Sequence, residues 1–218
     1  MRLSFFRSRR LLTVCGTLLV LLILGSISPL RHAALVKFGE MLVVRETTDH
    51  ADAIVISQDA DGAGVLTAVD LVERGVSTRV AVFSDPPDAV DQEFLRRGVP
   101  YYNLAAVSQM QLRSLGVLNA EQIPRTALGT EDAAYKLVEW CRINGLKRVI
   151  FVVHTDHSRR ARRLLDRAAA GMDLQLFVAP SKYSDFDPQT WWRERGSIRI
   201  QMIESQKLLF DVLRHPFS

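Results

Sequence analysis

The chain has 218 residues, with 48% hydrophobic and 24% charged residues and a formal net charge of +4 at pH 7. This is the composition of a globular protein with an apolar segment attached, and the length suffices for one domain with a sizeable core. The basic excess is concentrated in two short stretches, so it does not indicate nucleic-acid binding. These arginines are Arg2, Arg7, Arg9 and Arg10, and then Arg159, Arg160, Arg162, Arg163 and Arg167.

The first 30 residues predict a membrane anchor. Residues 11–30 form an uncharged apolar run, which matches the roughly 20 residues that a helix needs to cross a bilayer. The basic tail at residues 1–10 predicts a cytoplasmic N-terminus and an extracytoplasmic domain in the inner (plasma) membrane. A cleaved signal peptide, with a cleavage site at residues 26–28, is the alternative. The length of the run favours the uncleaved helix, which makes the lipid bilayer a predicted partner.

The rest of the chain predicts an amphipathic connector helix at residues 31–50 and one α/β domain at residues 51–218. Short apolar runs alternate with helical stretches, which favours a mostly parallel, doubly wound sheet with helices on both faces. Predicted strands lie at residues 53–56, 79–83, 99–104, 149–153 and 174–179. Predicted helices lie at residues 65–74, 90–97, 107–115, 130–144 and 198–213, with a further basic helix beginning near Ser158.

Polar residues follow three of the predicted strands. Ligands of open parallel sheets bind beyond the carboxyl ends of the strands, so these residues are candidates for a site. They are Ser57, Gln58, Asp59 and Asp61, then Ser84 and Asp85, and finally His154, Thr155, Asp156, His157, Ser158 and Arg160. Thr130 and Asp132 begin the helix that precedes the last of these strands, so we expect them to face the same crevice.

The segment at residues 154–160 predicts an anion site. Free amides at a helix start, together with Ser158 and Arg160, suit a phosphate or carboxylate. His154 and His157 can exchange protons near neutral pH. The alternative is that Ser158 only caps the helix and that the arginines are its solvated face. The strand-end position gives the two interpretations equal weight.

Other features have simpler interpretations. The hydroxyl of Thr130 is predicted to cap its helix. Asp59 and Asp61 suit a divalent cation, but a turn with a helix cap is favoured, so no metal site or cofactor is assigned. Arg159, Arg163 and Arg167 recur at helical spacing, which predicts surface charge, with contact to anionic lipid headgroups as the alternative.

Four segments carry a resemblance to a known family. They are residues 51–56, residues 129–134, residues 148–161 and residues 203–209. In this layout the chain resembles the YdcF-like family, which includes the SanA and ElyC envelope proteins of bacteria. The resemblance covers about residues 52–213.

The resemblance implies a Rossmann-like domain of largely unassigned biochemistry. The family is linked to cell-envelope biogenesis, barrier function and lipid-carrier or peptidoglycan metabolism, and one relative is associated with S-adenosylmethionine. The positions that match are Thr130, Asp132, His157 and Arg160. Ser57-Gln58-Asp59 stands where the family usually has three glycines, which argues against a nucleotide-like ligand and against a methyltransferase.

Two functions remain open at this point. The first is an envelope protein that binds or processes a phosphate-bearing ligand, with His157 as acid/base and Asp132 positioning it. The second is a non-catalytic envelope factor that binds a ligand or a membrane partner. The predicted ligand-binding residues are Ser57, Asp59, Ser84, Thr130, His154, Thr155, Ser158 and Arg160.

Overall fold

The computed structural model describes residues 28–101, 103–126 and 129–216. The predicted cytoplasmic tail and nearly all of the predicted transmembrane segment therefore lie outside the described residues. Within these three ranges, every helix is too short or too polar to span a bilayer.

Five parallel strands form a single sheet in the order β3-β2-β1-β4-β5. Ile56 of β1 lies opposite Val82 of β2 on one side and opposite Val152 of β4 on the other. The strand order reverses between β1 and β4, and such a reversal opens a crevice at the carboxyl ends of the two strands. The strands are β1 (Ala53–Ile56), β2 (Val80–Ser84), β3 (Ala120–Pro124), β4 (Arg148–Val153) and β5 (Gln175–Pro180).

Helices cover both faces of this sheet. They are α1 (Ser28–Glu40), α2 (Asp61–Glu73), α3 (Ala89–Arg96), α4 (Leu104–Ser114), α5 (Thr130–Ile143), α6 (Ser158–Ala168) and α7 (Arg195–Arg214). In β1, Ala53 and Val55 join the core beneath α5 and α6, whereas Ile54 and Ile56 join the core beneath α2 and α4. This alternation follows the two-residue period of a strand buried on both faces. The predicted α/β fold is confirmed, and the sheet is entirely parallel.

The crossover from β1 to α2 depends on a glycine. A Cβ atom at Gly64 would lie 2.6 Å from Cβ of Ala60 and 2.7 Å from Cγ2 of Ile56. The helix therefore packs against the end of β1 at a distance that no larger residue permits. This close approach fixes the loop after β1, which forms one wall of the crevice.

The predicted strand at residues 99–104 is wrong. Pro100 has no N–H to donate to a neighbouring strand, and the side chain of Asn103 caps α4 by accepting from Ala106 N at 2.8 Å. The third strand is β3 instead. It lies at the edge of the sheet and buries only Ile123 of its five residues, so its polar sequence lacks the pattern of an interior strand.

The connector is helical only as far as Glu40, rather than throughout residues 31–50. Beyond it the chain packs on α6, where Val44 N donates to Ser158 Oγ at 2.9 Å. A third, smaller core joins the connector to the end of the domain. Its buried members are Leu42, Val43, Phe186, Trp191 and Leu208.

The arginines of α6 that were predicted to be solvated surface charge are bound to the protein. Arg163 and Arg167 pair with Asp211 of α7 at 2.6 Å and 2.5 Å, with about a sixth of each side chain exposed. Burial raises the pKa of Asp211, but the two arginines outweigh it and lower the pKa below its usual value. Arg159 donates to the carbonyl oxygens of Met41 and Val43. The basic face of α6 therefore holds α7 and the connector in place.

Candidate functional site

Two of the segments singled out in the sequence meet at the carboxyl end of the sheet. Arg160 of α6 donates from Nη1 to Oγ1 of Thr130, the first residue of α5, at 3.2 Å. Arg160 also contacts His157 and Glu204. We call Thr130, His157, Arg160 and Glu204 the arginine cluster. The predicted convergence of the 154–160 segment with the start of α5 is therefore present.

The imidazole of His157 is held in one orientation by Arg160. A short 3-10 turn, Thr155–His157, carries the chain from β4 into α6 and leaves His157 only 4% exposed. Its Nδ1 lies 2.7 Å from Nη2 of Arg160 and 3.5 Å from Oε2 of Glu204. An arginine N–H can only donate. The shorter contact therefore makes Nδ1 an acceptor and places the ring hydrogen of neutral His157 on Nε2.

The other ring nitrogen of His157 is a buried polar atom without a hydrogen-bond partner among the described residues. Oδ2 of Asp59, in the loop after β1, lies 4.0 Å away, beyond hydrogen-bond distance. Leaving a buried donor unsatisfied costs about 1–3 kcal/mol. Such an atom at the strand reversal therefore marks a candidate functional group.

Glu204 of α7 is a site residue that the sequence did not reveal. Its Oε2 accepts from Nε of Arg160 at 3.1 Å, and its Oε1 contacts Nζ of Lys207 at 2.6 Å. Burial raises the pKa of Glu204, but its charged neighbours, Arg160 and Lys207 among them, outweigh it and lower the pKa to about 2. Glu204 is therefore ionised throughout the physiological range and fixes the guanidinium of Arg160.

Asp132 does not position His157, so that prediction is wrong. Its two oxygens lie 3.3 Å from Nε of Arg125 and 3.2 Å from Oγ1 of Thr126. The carboxylate beside His157 is Glu204 instead. Asp132 therefore belongs to a neighbouring network centred on Arg125.

Arg125 directly follows β3 and is 8% exposed. Its guanidinium lies 3.0 Å from Oδ1 of Asp85 and 3.2 Å from Oε1 of Gln58, and it donates to the carbonyl oxygen of Gly129 at 2.5 Å. Burial raises the pKa of Asp85 even though Arg125 opposes the shift. This network ties the carboxyl ends of β1, β2 and β3 to the start of α5. Arg125 was not predicted as a site residue, because the strand that precedes it was not predicted.

The start of α5 differs from the predicted cap. The N-cap is Gly129, at φ 115°, and Thr130 is the first helical residue, with a hydroxyl that accepts from Arg160. No side chain of the described residues caps the free amides of this helix. They open onto a cleft of about 360 Å³ that is lined by Arg160, Lys207, Arg214, Glu131, Leu164 and Phe210, among others. Free amides and basic side chains together suit an anion.

Two predicted ligand-binding hydroxyls are used to hold the local fold. Ser158 is fully buried, and its Oγ donates to the carbonyl oxygen of Thr155 at 2.8 Å while accepting from Val44 N. Oγ1 of Thr155 donates to the carbonyl oxygen of Ser181 at 2.8 Å. These contacts do not support a role in ligand binding for either hydroxyl.

Ser84, Ser57 and Asp59 lie at the ends of the other predicted strands. The hydroxyl of Ser84 accepts from Nδ2 of Asn103 at 2.9 Å, so it supports the loop before α4. Ser57 is buried, and its hydroxyl donates to the carboxylate of Asp59. Only Ser57 and Asp59 of these three therefore lie beside the crevice at the strand reversal.

His154 lies apart from the arginine cluster. Its Nδ1 contacts the carboxylate of Asp156, and its Nε2 lies 3.2 Å from Oδ1 of Asp185. The hydrogen bond with Asp156 raises the pKa of His154 above its usual value, although burial opposes the shift. The two histidines of the 154–160 segment therefore belong to different groups of side chains.

The acidic loop after β1 contains a strained residue. Asp61 has φ 42° and ψ −139°, a conformation that glycine adopts more easily than other residues. Burial and the neighbouring Asp59 raise the pKa of Asp61. In the part of the chain that the structure describes, no group of three or more His, Cys, Asp or Glu residues is arranged to hold a metal ion.

Fold and site together define an α/β protein with a five-stranded parallel sheet and a charged crevice where the strand order reverses. Comparisons with protein-family models, with curated proteins and with solved structures gave no match.

Proposed function

We propose that this protein is a membrane-anchored, extracytoplasmic member of the YdcF-like family that binds or processes a phosphate-bearing ligand. The Rossmann-like domain would act in cell-envelope biogenesis or barrier function, on a lipid carrier or a cell-wall precursor. The apolar run at residues 11–30 and the family resemblance support the location. The observation that carries the ligand class is the contact of Arg160 with both Thr130 and His157.

Binding would occur in the cleft at the start of α5. The free amides of α5 and the positive end of its dipole favour an anion there. Basic side chains outnumber acidic ones in the lining of this cleft, with Arg160, Arg167, Lys207 and Arg214 against Glu131, Asp132 and Asp211. Glu204 keeps the guanidinium of Arg160 in place, so its position is set before the ligand arrives. The side chains of Leu164 and Phe210 give the cleft an apolar wall, which suits a ligand with both a phosphate and a non-polar part.

Processing would use His157 as the proton donor. Arg160 holds Nδ1 as an acceptor, so the ring hydrogen stands on Nε2, facing the side of the crevice where Asp59 lies. The N–H of a neutral imidazole can donate a hydrogen bond to a ligand oxygen, but giving a proton to a departing oxygen would require the imidazolium, with Nδ1–H turned from Arg160 towards Oε2 of Glu204, 3.5 Å away.

A non-catalytic envelope factor is the second candidate, and one observation favours it. Nε2 of His157 is enclosed by the protein, so it reaches a ligand only after a local rearrangement. In this alternative, Arg160 and the start of α5 bind the ligand without chemistry, and His157 serves only to orient Arg160.

Calorimetry on the full chain in detergent tests the ligand class, with inorganic phosphate and a polyprenyl phosphate as probes. We expect Arg160→Gln to weaken binding of both probes at least tenfold. Arg142→Gln, an exposed arginine on α5, is the matched control and should leave binding unchanged. Equal affinities in the two variants would overturn the proposal. His157→Gln separates the candidates, because processing requires turnover to be lost while binding persists.

A further inference from the structure

A second group of side chains at the end of β4 has the composition of a nucleophilic site. Oγ of Ser184 lies 3.1 Å from Nε2 of His154, and Nδ1 of the same ring contacts the carboxylate of Asp156. We call Ser184, His154 and Asp156 the serine cluster. A hydroxyl, an imidazole and a carboxylate in this order are the arrangement that activates a serine.

The fold holds the serine cluster in place through the loop after β5. Ser181 N donates to the carbonyl oxygen of Val153 at 2.9 Å, and Oγ1 of Thr155 donates to the carbonyl oxygen of Ser181. Ser184 N in turn donates to that carbonyl at 3.2 Å. The loop that carries Ser184 is therefore bonded to both the end of β4 and the turn that carries Asp156.

Ser184 also lines a large groove between α2 and the connector. The groove has a volume of about 1010 Å³ and an apolar floor that includes Ile150 and Ala179. Its rim is charged and polar, with Arg45, Asp70, Lys182 and Thr48 among the lining residues. An apolar floor beside a nucleophile fits an acyl chain, and a polar rim fits the alcohol part of an ester.

Among the described residues, Asp185 competes with Ser184 for Nε2 of His154. Its Oδ1 lies 3.2 Å from Nε2 of His154, and its side chain is 84% exposed. Oγ of Ser184 lies 3.1 Å from both ring nitrogens, so it faces the ring between them, and attack requires Oγ to move into the ring plane beside Nε2. An exposed carboxylate is strongly solvated and leaves such a contact easily. Ser184 then has Nε2 as its only acceptor in the serine cluster.

We propose that the serine cluster is an esterase site, separate from the arginine cluster. Oγ of Ser184 attacks the carbonyl carbon of a carboxylic ester while its proton passes to Nε2 of His154. The imidazolium gives that proton to the alcohol oxygen as the C–O bond breaks, which leaves an acyl-serine. Water, deprotonated by the same imidazole, then attacks the acyl carbon. The products are a carboxylic acid, the free serine hydroxyl and neutral His154.

A fluorophosphonate probe on the full chain in detergent tests this proposal, with the labelled residue identified by mass spectrometry. We expect the probe to label Ser184 and the chain to hydrolyse p-nitrophenyl butyrate. The rates of labelling and of hydrolysis should both fall at least tenfold in Ser184→Ala and in His154→Gln. Ser114→Ala, an exposed serine at the end of α4, is the control and should match the unmodified chain. Arg160→Gln should retain the labelling, because the two sites are independent.

Asp185→Asn keeps the test decisive if His154→Gln does not fold. Weakening the competing carboxylate should raise the labelling rate of Ser184 by about threefold or more. An unchanged or slower rate in that variant would overturn the proposal. The proposal would also be overturned if the folded, unmodified chain did not react with the probe, or if it were labelled equally at Ser114.

Discussion

Nη2 of Arg160 lies 2.7 Å from Nδ1 of His157, and Oε2 of Glu204 lies 3.1 Å from the same Arg160 nitrogen. The guanidinium therefore bridges a buried carboxylate and a buried imidazole. This contact holds together Glu204 of α7, Arg160 of α6 and His157 of the turn before α6, and the hydroxyl of Thr130 joins them to α5.

Replacing Glu204 with glutamine should destabilise the fold by about 2–4 kcal/mol at pH 7, because Arg160 would lose a buried partner. Glu204 has a side chain only 9% exposed and a pKa lowered to about 2. Its stabilising contribution is thus fully present above the unfolded pKa, near 4.5, and is lost as the pH falls towards 2. Urea unfolding between pH 2.5 and 7 measures the effect.

The control for this substitution is Glu139→Gln on the exposed face of α5, where Glu139 pairs with Lys136. That variant should unfold with nearly unchanged free energy at pH 7. If the curves of stability against pH coincide for Glu204→Gln and the unmodified chain, Glu204 is not held as an ionised partner of Arg160.

His154 should make stability depend on pH in the opposite direction. Its pKa is raised in the folded state by Asp156. The stabilisation is therefore fully present below the unfolded pKa, near 6.5, and is lost as the pH rises through the folded pKa. Urea unfolding from pH 6 to 9 should show a steeper loss of stability for the unmodified chain than for His154→Gln. The exposed His50→Gln is the control, and its slope should equal that of the unmodified chain.

Asp61→Gly should stabilise the protein by about 1 kcal/mol. Glycine adopts φ 42° with ψ −139° without strain. The free energy gained from this relief exceeds the cost of the extra conformational entropy that glycine gives the unfolded chain. Thermal unfolding measures the difference. Asp61→Ala removes the same carboxylate but keeps the strain, so a gain of equal size in the alanine variant would show that repulsion from Asp59, rather than the backbone, is responsible.

Gly64→Ala should destabilise the protein by about 1–3 kcal/mol, because the added carbon collides with Ala60 and Ile56. Gly62→Ala is a matched control in the same helix, since the nearest atom to its added carbon lies 4.0 Å away. The free energies of unfolding of the two variants should differ by at least 1 kcal/mol. Equal values would mean that α2 shifts to accommodate the methyl group.

The interior of the sheet was predictable from the sequence because burial on both faces leaves an apolar run. The β1 strand and the β4 strand are of this kind. The β3 strand was missed since an edge strand needs apolar residues at few positions, and only Ile123 is buried there. The sequence places Val99 in an apolar stretch, but Pro100 and the cap at Asn103 prevent a strand.

The candidate site was predicted only in the parts that follow directly from strand ends. His157 and Arg160 were found in this way, Thr130 was found as the start of the helix before the same strand, and the three lie together. Glu204 comes from a helix 44 residues beyond Arg160, which the strand-end rule does not reach. Glu204 lies at helical spacing from Gln201 and Leu208, which places it on the buried face of α7. An acidic residue on a buried helix face is the sequence signal that could have identified it as a site residue.

The central claim is that the arginine cluster binds phosphate beside a neutral His157 with its hydrogen on Nε2. Nitrogen-15 NMR of the histidine rings and backbone amides, during titration with inorganic phosphate, tests it most directly. We expect the His157 ring to have the Nε2–H form before addition, and phosphate to shift its signals and the amides of residues 130–132. These shifts should be absent in Arg160→Gln. Phosphate that leaves both sets of signals unmoved, or that moves them equally in Arg160→Gln, would contradict the claim.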